Sequence, residues 1–429
     1  MSAATIAPDE VIHLDHIESR ESRRARLSSG GLMAAIGLVL LVLSFRTRGD
    51  AQFALSAYFD ADELPSFTLP GLPTVLVCAL LAIGAGLGFL TGRLNPRLRT
   101  LAAAVAGIAV MVGLVTWAVS GSSLPFQVSN QLAGTIALAT PLVLGSLGGV
   151  LCENSGVVNV AIEGQFLVAA FTAATVGSVT KSIPMALVAA MIAGVLMAAM
   201  LAVFAIRYIV DQVVLGVVLN LFASGLTGFI FDQLVQPNSG TLNNAPIMQA
   251  IPIPGLSAIP LLGPVLFNQT ILVYLAILSV FVVSFLLYRT RWGLRVRSVG
   301  EHPEAADTVG ISVRAVRWQA VLLGGLFAGL GGAFFTIGST GAFNKDITVG
   351  NGFIALAALI MGRWHPVRAA LMAVFFGFVT QLATQLQSLS TPMPSQFLLM
   401  LPYIATVIAV AGLIGRSRGP AADGVPYTK

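Results

Sequence analysis

The chain has 429 residues, 56% of them hydrophobic and only 10% charged. Soluble globular chains carry about a quarter charged residues, so this composition excludes an ordinary soluble enzyme or binding module and indicates a membrane protein. The formal net charge of +5 comes from Arg clusters between apolar segments, with no aromatic platform or basic stripe, which argues against nucleic acid as a partner.

Residues 1–29 carry Asp9, Glu10, Asp15, Glu18 and Glu21 before the first apolar stretch. A cleaved signal peptide has a short basic start, so this segment reads as a retained cytoplasmic tail. A membrane helix needs about 20 mostly apolar residues. Candidate spans are 30–45, 71–92, 101–119, 129–151, 162–179, 184–206, 212–235, 270–288, 319–338, 351–362, 367–389 and 397–415, of which 30–45, 162–179 and 351–362 are short. The expected fold is an all-α integral membrane protein, a multi-span bundle of about 10–12 helices with broken helices.

If every span crosses and the N-terminus is inside, the Lys/Arg bias is decisive. Nineteen of the 23 basic residues then fall inside, leaving Arg46, Arg48, Lys181 and Lys345 outside. The long loops 46–70 and 236–269 should face out, with Ala245–Ile259 along the membrane surface. No hydrophilic stretch is long enough for a separate globular domain.

Chemistry of its own is missing from the chain. There is no G-x-x-x-x-G-K-[ST] nucleotide loop, since the only lysines are Lys181, Lys345 and Lys429 and none follows a glycine. His13, His16, His302 and His365 show no metal-ligand spacing, and no G-x-S-x-G elbow supports a nucleophile. Cys78 and Cys152 read as two lone buried thiols. No enzyme, cofactor or metal site is expected.

Polar groups inside the apolar spans are the informative exceptions. Gly145–Gln165 reads as a helix that loosens at Glu153-Asn154-Ser155-Gly156 and restarts near Val160. Broken helices at membrane depth occur where the freed backbone lines a cavity or is buried in protein. Asn159 and Glu163 then stand at i,i+4 on one face. They either line the substrate path or lie at the cytoplasmic mouth, with Glu163 capping neighbouring backbone groups. Residues 212–235 carry a polar stripe of Asn220, Ser224 and Thr227, and residues 367–389 carry Gln381, Thr384, Gln385 and Ser388. Such stripes face an aqueous path or bond between helices, each bond giving about 0.6 kcal/mol. Gly84-x-x-x-Gly88 and Gly325-x-x-x-Gly329 read as close-packing pairs. In the loop 289–318, Pro303 starts a short helix with acids in its first turns and Gly310 just past its end. Spacing alone makes it an ordinary capped loop helix.

Three segments carry a family resemblance. Gly156-Val157-Val158-Asn159-Val160-Ala161-Ile162-Glu163-Gly164 resembles the G-V-V-N-[IV]-G-[IL]-E-G signature of ABC-importer permeases of the branched-chain amino acid, simple sugar and nucleoside group. Ala161 stands where Gly is usual, and Asn154 where a basic residue is common. The stretch from Arg297 to Ile311 is similar to the coupling segment of the same group, with His302 in place of the usual Asn. Gly352 through Pro366 resembles a third segment, with His365 where Asn is common. The chain end resembles the nucleoside-type permeases.

The resemblance covers about residues 129–428 and implies a permease core at 121–415. Additional spans would occupy 30–120, and a cytoplasmic tail 416–429. It implies the membrane-spanning subunit of an ATP-driven importer carrying nucleosides inward across a bacterial plasma membrane. Its expected partners are an ABC ATPase subunit, a second related permease forming a heterodimer, an extracytoplasmic substrate-binding lipoprotein and membrane lipid. Path residues would be Asn159 and Glu163 of the signature, together with Asn220, Ser224, Thr227, Gln381, Thr384 and Gln385 of the two polar stripes. The ATPase-coupling segment would comprise Gly300, Glu301, His302, Pro303, Glu304, Ala305, Ala306, Gly310 and Ile311. A simple sugar such as ribose is the alternative substrate, and a secondary transporter driven by an ion gradient the alternative mechanism.

Overall fold

A computed structural model of the protein describes residues 20–56, 64–92, 94–389, 391, 394–408 and 418–428. The acidic tail residues before Arg20 and the end of the last expected span (409–415) lie outside the described residues. Among these, nine helices are long and apolar enough to cross a membrane, and two further apolar helices are shorter.

The chain divides into two units, residues 1–49 with 70–117, and residues 50–69 with 118–429. In the first, α1 (Arg20–Ser44) packs along α2 (Gly71–Thr91), and most of α3 (Pro96–Val119) follows. Helix α1 starts ten residues before the expected span, so Arg26–Ser44 is long enough to cross. The close approach of α1 and α2 is made at Gly86, where a Cβ would lie 2.6 Å from Ala34 N. Gly84 faces open space and Gly88 abuts Leu94, so the expected Gly84/Gly88 pair is not the seam.

The second unit is built around α4 (Val128–Glu153), the most enclosed of the nine helices. It continues through α5 (Ile162–Thr180), α6 (Ile183–Ala202) and α7 (Gln212–Ile230), then the one-turn α8 (Ser239–Leu242) and α9 (Ile271–Arg289). Next come α10 (Arg291–Glu301), α11 (Pro303–Thr308) and α12 (Val313–Ala333). The half-length α13 (Asn351–Met361), α14 (Pro366–Ser388) and α15 (Ser395–Ile408) close the unit. Helix α12 packs against α4, α5 and α6. Small residues permit this: a Cβ on Gly325 would lie 2.7 Å from Gly194 O, and one on Gly329 would lie 2.5 Å from Ala190 O. The Gly325/Gly329 pair is therefore the packing seam its spacing indicates.

Two small sheets join loops. Strand β1 (Asp50–Ala54) lies between β2 (Ser66–Pro70) and β3 (Phe126–Gln127), with Phe53 opposite Phe126. Strand β4 (Ala250–Pro252), inside the stretch expected to lie along the membrane surface, pairs antiparallel with β5 (Asn268–Thr270), which lies beyond it. Two breaks in the helical pattern, 154–161 and 334–350, fall in this unit, and Glu163, just after the first, bonds to the end of the second.

Candidate functional site

Helix α4 ends at Glu153 and α5 begins at Ile162. The turn between them uses Gly156 at φ +86°, where a Cβ would lie 2.7 Å from Arg317 Nη2 and 2.9 Å from Ala422 O. Only glycine meets both demands at low cost. The backbone freed by the break is satisfied from outside the helix pair. Val158 N donates to Gln212 Oε1 (2.7 Å), and Gly164 N donates to Asn220 Oδ1 (2.8 Å). Asn220 Nδ2 in turn donates to Val160 O (3.0 Å). These bonds hold residues 157–161 out of helical geometry, so Asn159 precedes α5 and does not share a helix face with Glu163. Asn159 is fully buried, its amide paired with that of Gln165 at 3.3 and 3.4 Å. At the end of α4, Trp364 Nε1 donates to Glu153 Oε2, and Asn154 Nδ2 donates to Trp364 O (3.0 Å).

Glu163 makes the central contact of the site. Its Oε1 accepts from Thr348 Oγ1 (2.5 Å) and Gly350 N (2.8 Å), and its Oε2 accepts from Gly352 N (2.6 Å). A carboxylate thus caps the N-terminus of α13, where orphan N–H groups and the helix dipole favour negative charge. Helix α13 has 11 residues and rises about 16 Å at 1.5 Å per residue, half of a hydrocarbon core of about 30 Å. The loop before it takes left-handed backbone at Asp346 (φ +52°), Val349 (+44°) and Gly350 (+77°), which glycine adopts freely and which strains the β-branched Val349. Ser224 Oγ donates to Asp346 Oδ1 (2.7 Å), and Lys345 pairs with Asp232 at 2.6 Å, tying that loop to α7 and to the turn that follows it.

The two polar stripes divide by position. Asn220 clamps α5 and Ser224 holds the loop, while Thr227 is buried and returns its hydroxyl to Ala223 O on its own helix (2.7 Å). On α14, Gln381 Nε2 donates to Asn130 O (3.3 Å) and Gln385 Nε2 to Gln127 O (2.9 Å), both on or beside the start of α4. Thr384 is exposed and faces a cavity of ≈ 320 Å³ between α13, α14 and α15.

The segment 300–311 adopts the expected short helix. Pro303 opens α11, Gly310 sits at φ +84°, and the turn closes by Gly310 N to Asp307 O (2.9 Å) and Ile311 N to Ala306 O (3.1 Å). The second bond is the 6→1 bond of a Schellman cap. His302, Glu304, Ala305 and Val309 are exposed, whereas Ala306 is buried. Gly300 is buried against Asn154 O, so the segment abuts the α4–α5 turn directly.

Residues 418–428 pack against this same place. Ala422 N donates to Gly300 O (2.8 Å) and Ala421 N to Glu301 Oε2 (3.3 Å). Arg317, 2% exposed, donates from Nε to Ser155 O (3.1 Å) and from Nη1 to Val425 O (3.1 Å). Burial, opposed by the Arg317 guanidinium, pushes the Asp423 carboxyl up to about 7. A cavity of ≈ 430 Å³ opens between α11 and this segment, lined by residues including His302, Glu304, Ala305, Ala422 and Tyr427.

Residues 131–410 match the sequence family described as branched-chain amino acid transport system / permease component. The chain belongs to this permease family. The guanosine ABC transporter permease protein NupQ of Bacillus subtilis is 42% identical over 304 residues, 69% of this chain and 95% of that protein. The nucleoside ABC transporter permease protein NupC of Lactococcus lactis is 40% identical over 310 residues, 70% and 96% of the two chains. The putative glucose ABC transporter permease protein TsgC13 of Haloferax volcanii is 36% identical over 264 residues, 61% and 79%. No solved structure matches the permease.

Several residues that build this permease's site escape a reading of the sequence. Arg317 is counted there with the loop charges, yet α12 starts at Val313 and buries it. Thr348 and Gly350 give no sign that a carboxylate about 185 positions earlier reaches them. Helix α10 had a readable signal, since Gly293, Val296, Val299 and Gly300 are its buried residues at helical spacing.

Proposed function

We propose that this permease is the membrane-spanning subunit of an ATP-driven importer that moves nucleosides inward. The observation that carries the substrate is the match to two nucleoside permeases along 95% and 96% of their lengths. In this reading the N-terminus and the 418–428 segment face the cytoplasm. Loop contacts support a consistent alternation: Lys181 Nζ meets Asn244 O and Ala245 N meets Gly341 O on one side. Trp364 meets Glu153, and Ala422 meets Gly300, on the other. The Arg-bearing segments 289–301 and 363–368 of this unit belong to the second set.

A separate ATPase would dock on the exposed face of α11, at Glu304, Ala305 and Val309, beside the cavity walled by residues 421–428. Movement there has a packed route inward. Gly300 presses on the α4–α5 turn, Arg317 holds that turn to the C-terminal segment, and Trp364 links Glu153 to the end of α13. Glu163 holds the other end of α13, so a shift of α5 moves the half-helix with it. An outer lipoprotein would deliver substrate, and a second, unlike permease of the same family would complete the path.

The test is uptake of labelled guanosine, uridine, ribose and glucose by cells with and without the gene, with ATP intact and then depleted while the ion gradient is held. Loss of ATP-dependent nucleoside uptake on deletion is expected. The relation to TsgC13 favours a hexose as the second reading, and loss of glucose uptake alone would replace the substrate proposed here.

A further inference from the structure

The cavity between α13, α14 and α15 is lined by residues of which only Thr384 has been given a part so far. Its volume of ≈ 320 Å³ falls in the range of about 300–1,000 Å³ typical of small-molecule sites. Asn351, Thr380, Thr384, Gln387 and Tyr403 face it among aliphatic neighbours such as Ile354, and among the described residues no charged side chain lines it. The hydroxyls of Thr380 and Thr384 donate to carbonyls of their own helix (2.9 and 3.1 Å), leaving oxygen lone pairs as acceptors. Asn351 Nδ2 is occupied by Thr348 O (2.8 Å), which leaves its oxygen as a further acceptor. The Tyr403 hydroxyl donates to Val349 O (3.2 Å), fixing an aromatic ring at the rim.

We propose that this cavity is the contact site of this subunit for a neutral nucleoside in transit, resting on the function proposed above. Acceptor oxygens suit sugar hydroxyls and base N–H groups, and the Tyr403 ring with its aliphatic neighbours suits a flat base. A site with no cation has nothing to offset the desolvation of a phosphate, so it takes nucleosides and rejects nucleotides. The cavity is also coupled to the helix break. Its floor, Val349–Asn351, is the loop that Glu163 holds, so displacement of α5 changes the lining directly.

The experiment uses the complete transporter. Cys78 and Cys152 are both buried, so Thr384→Cys introduces the reactive thiol, with Ser395→Cys as an exposed position outside the cavity. Guanosine should slow modification of Thr384→Cys by a charged thiol reagent at least tenfold, GMP should not, and Ser395→Cys should be indifferent to both. Thr384→Val should raise the KM for guanosine uptake about tenfold (~1.4 kcal/mol) with the maximal rate retained. A purely structural role would change the rate for every substrate without that split. Wild-type transporter that carries no nucleoside would overturn the functional reading itself. Wild-type that carries guanosine, with Thr384→Cys unprotected and Thr384→Val unchanged in KM, would overturn this site alone. Protection by GMP equal to that by guanosine would overturn its selectivity.

Discussion

Replacing Glu163 removes the cap that joins α5 to α13. In Glu163→Ala, Gly350 N, Gly352 N and the Thr348 hydroxyl lose their acceptor together. Hydrogen bonds to a charged group are worth about 1.5–3 kcal/mol each. Glu163 is only half-buried and water can replace part of the loss, so the expected net cost is about 4 kcal/mol. Glu163→Gln keeps one oxygen for Thr348 and Gly350 but turns an NH₂ toward Gly352 N. It should cost about 2–3 kcal/mol, from one lost bond and the lost charge at the helix end. Thermal unfolding followed with a thiol-reactive dye suits this protein, because both cysteines are buried until it unfolds. The expected order of stability is wild type, then Glu163→Gln, then Glu163→Ala, with nucleoside uptake falling in the same order. Wild-type melting and uptake in Glu163→Gln would refute the capping argument.

Three further outcomes are expected. Arg317→Met should release residues 418–428, read as faster labelling of Ala422→Cys than in the Arg317 background; equal labelling would show that the guanidinium does not hold the segment. The triple change Glu304→Lys, Ala305→Trp and Val309→Asp should uncouple ATP hydrolysis from uptake while the protein stays folded. Ala306 is left intact because it is buried, and unchanged uptake would remove α11 from the coupling role. The folded-state value of Asp423, about 7, lies above the ordinary carboxylate value near 3.9, so packing favours its protonated form. Docking of the segment is therefore strongest below about pH 4 and weakens as pH rises through about 7, with the Arg317 guanidinium and the Glu153 carboxyl the ionisable groups nearby. Labelling of Ala422→Cys between pH 6 and 8 should rise more steeply than in Asp423→Asn, which cancels the titration of the thiol; parallel curves would contradict this.

Much of the fold is legible in the sequence because hydrocarbon imposes one solution, an apolar helix of about 20 residues, and each polar exception must be satisfied. The break after Glu153 is readable from Asn154 and Gly156, and the α11 helix from Pro303 and Gly310. Partnerships across distance are not. Asn159 was expected beside Glu163 on a helix face, but Gln212 and Asn220 bind the backbone around it and keep it out of helix. Gln381 and Gln385, whose spacing leaves path lining and interhelical bonding both open, anchor α14 to the start of α4. Thr384, between them on the same helix, points to the cavity. A 3.6-residue period separates the faces of a helix but does not say which neighbour covers each one. Residues 418–428 read as a hydrophilic tail, since nothing local reveals that Arg317 and Gly300 receive them.

The most direct measurement is accumulation of labelled guanosine in vesicles reconstituted with the purified transporter, ATPase and binding protein included. Accumulation above the external concentration with hydrolysable ATP, and none with a non-hydrolysable analogue or without this chain, is the predicted result. Accumulation that ignores ATP and follows an imposed ion gradient would contradict the account.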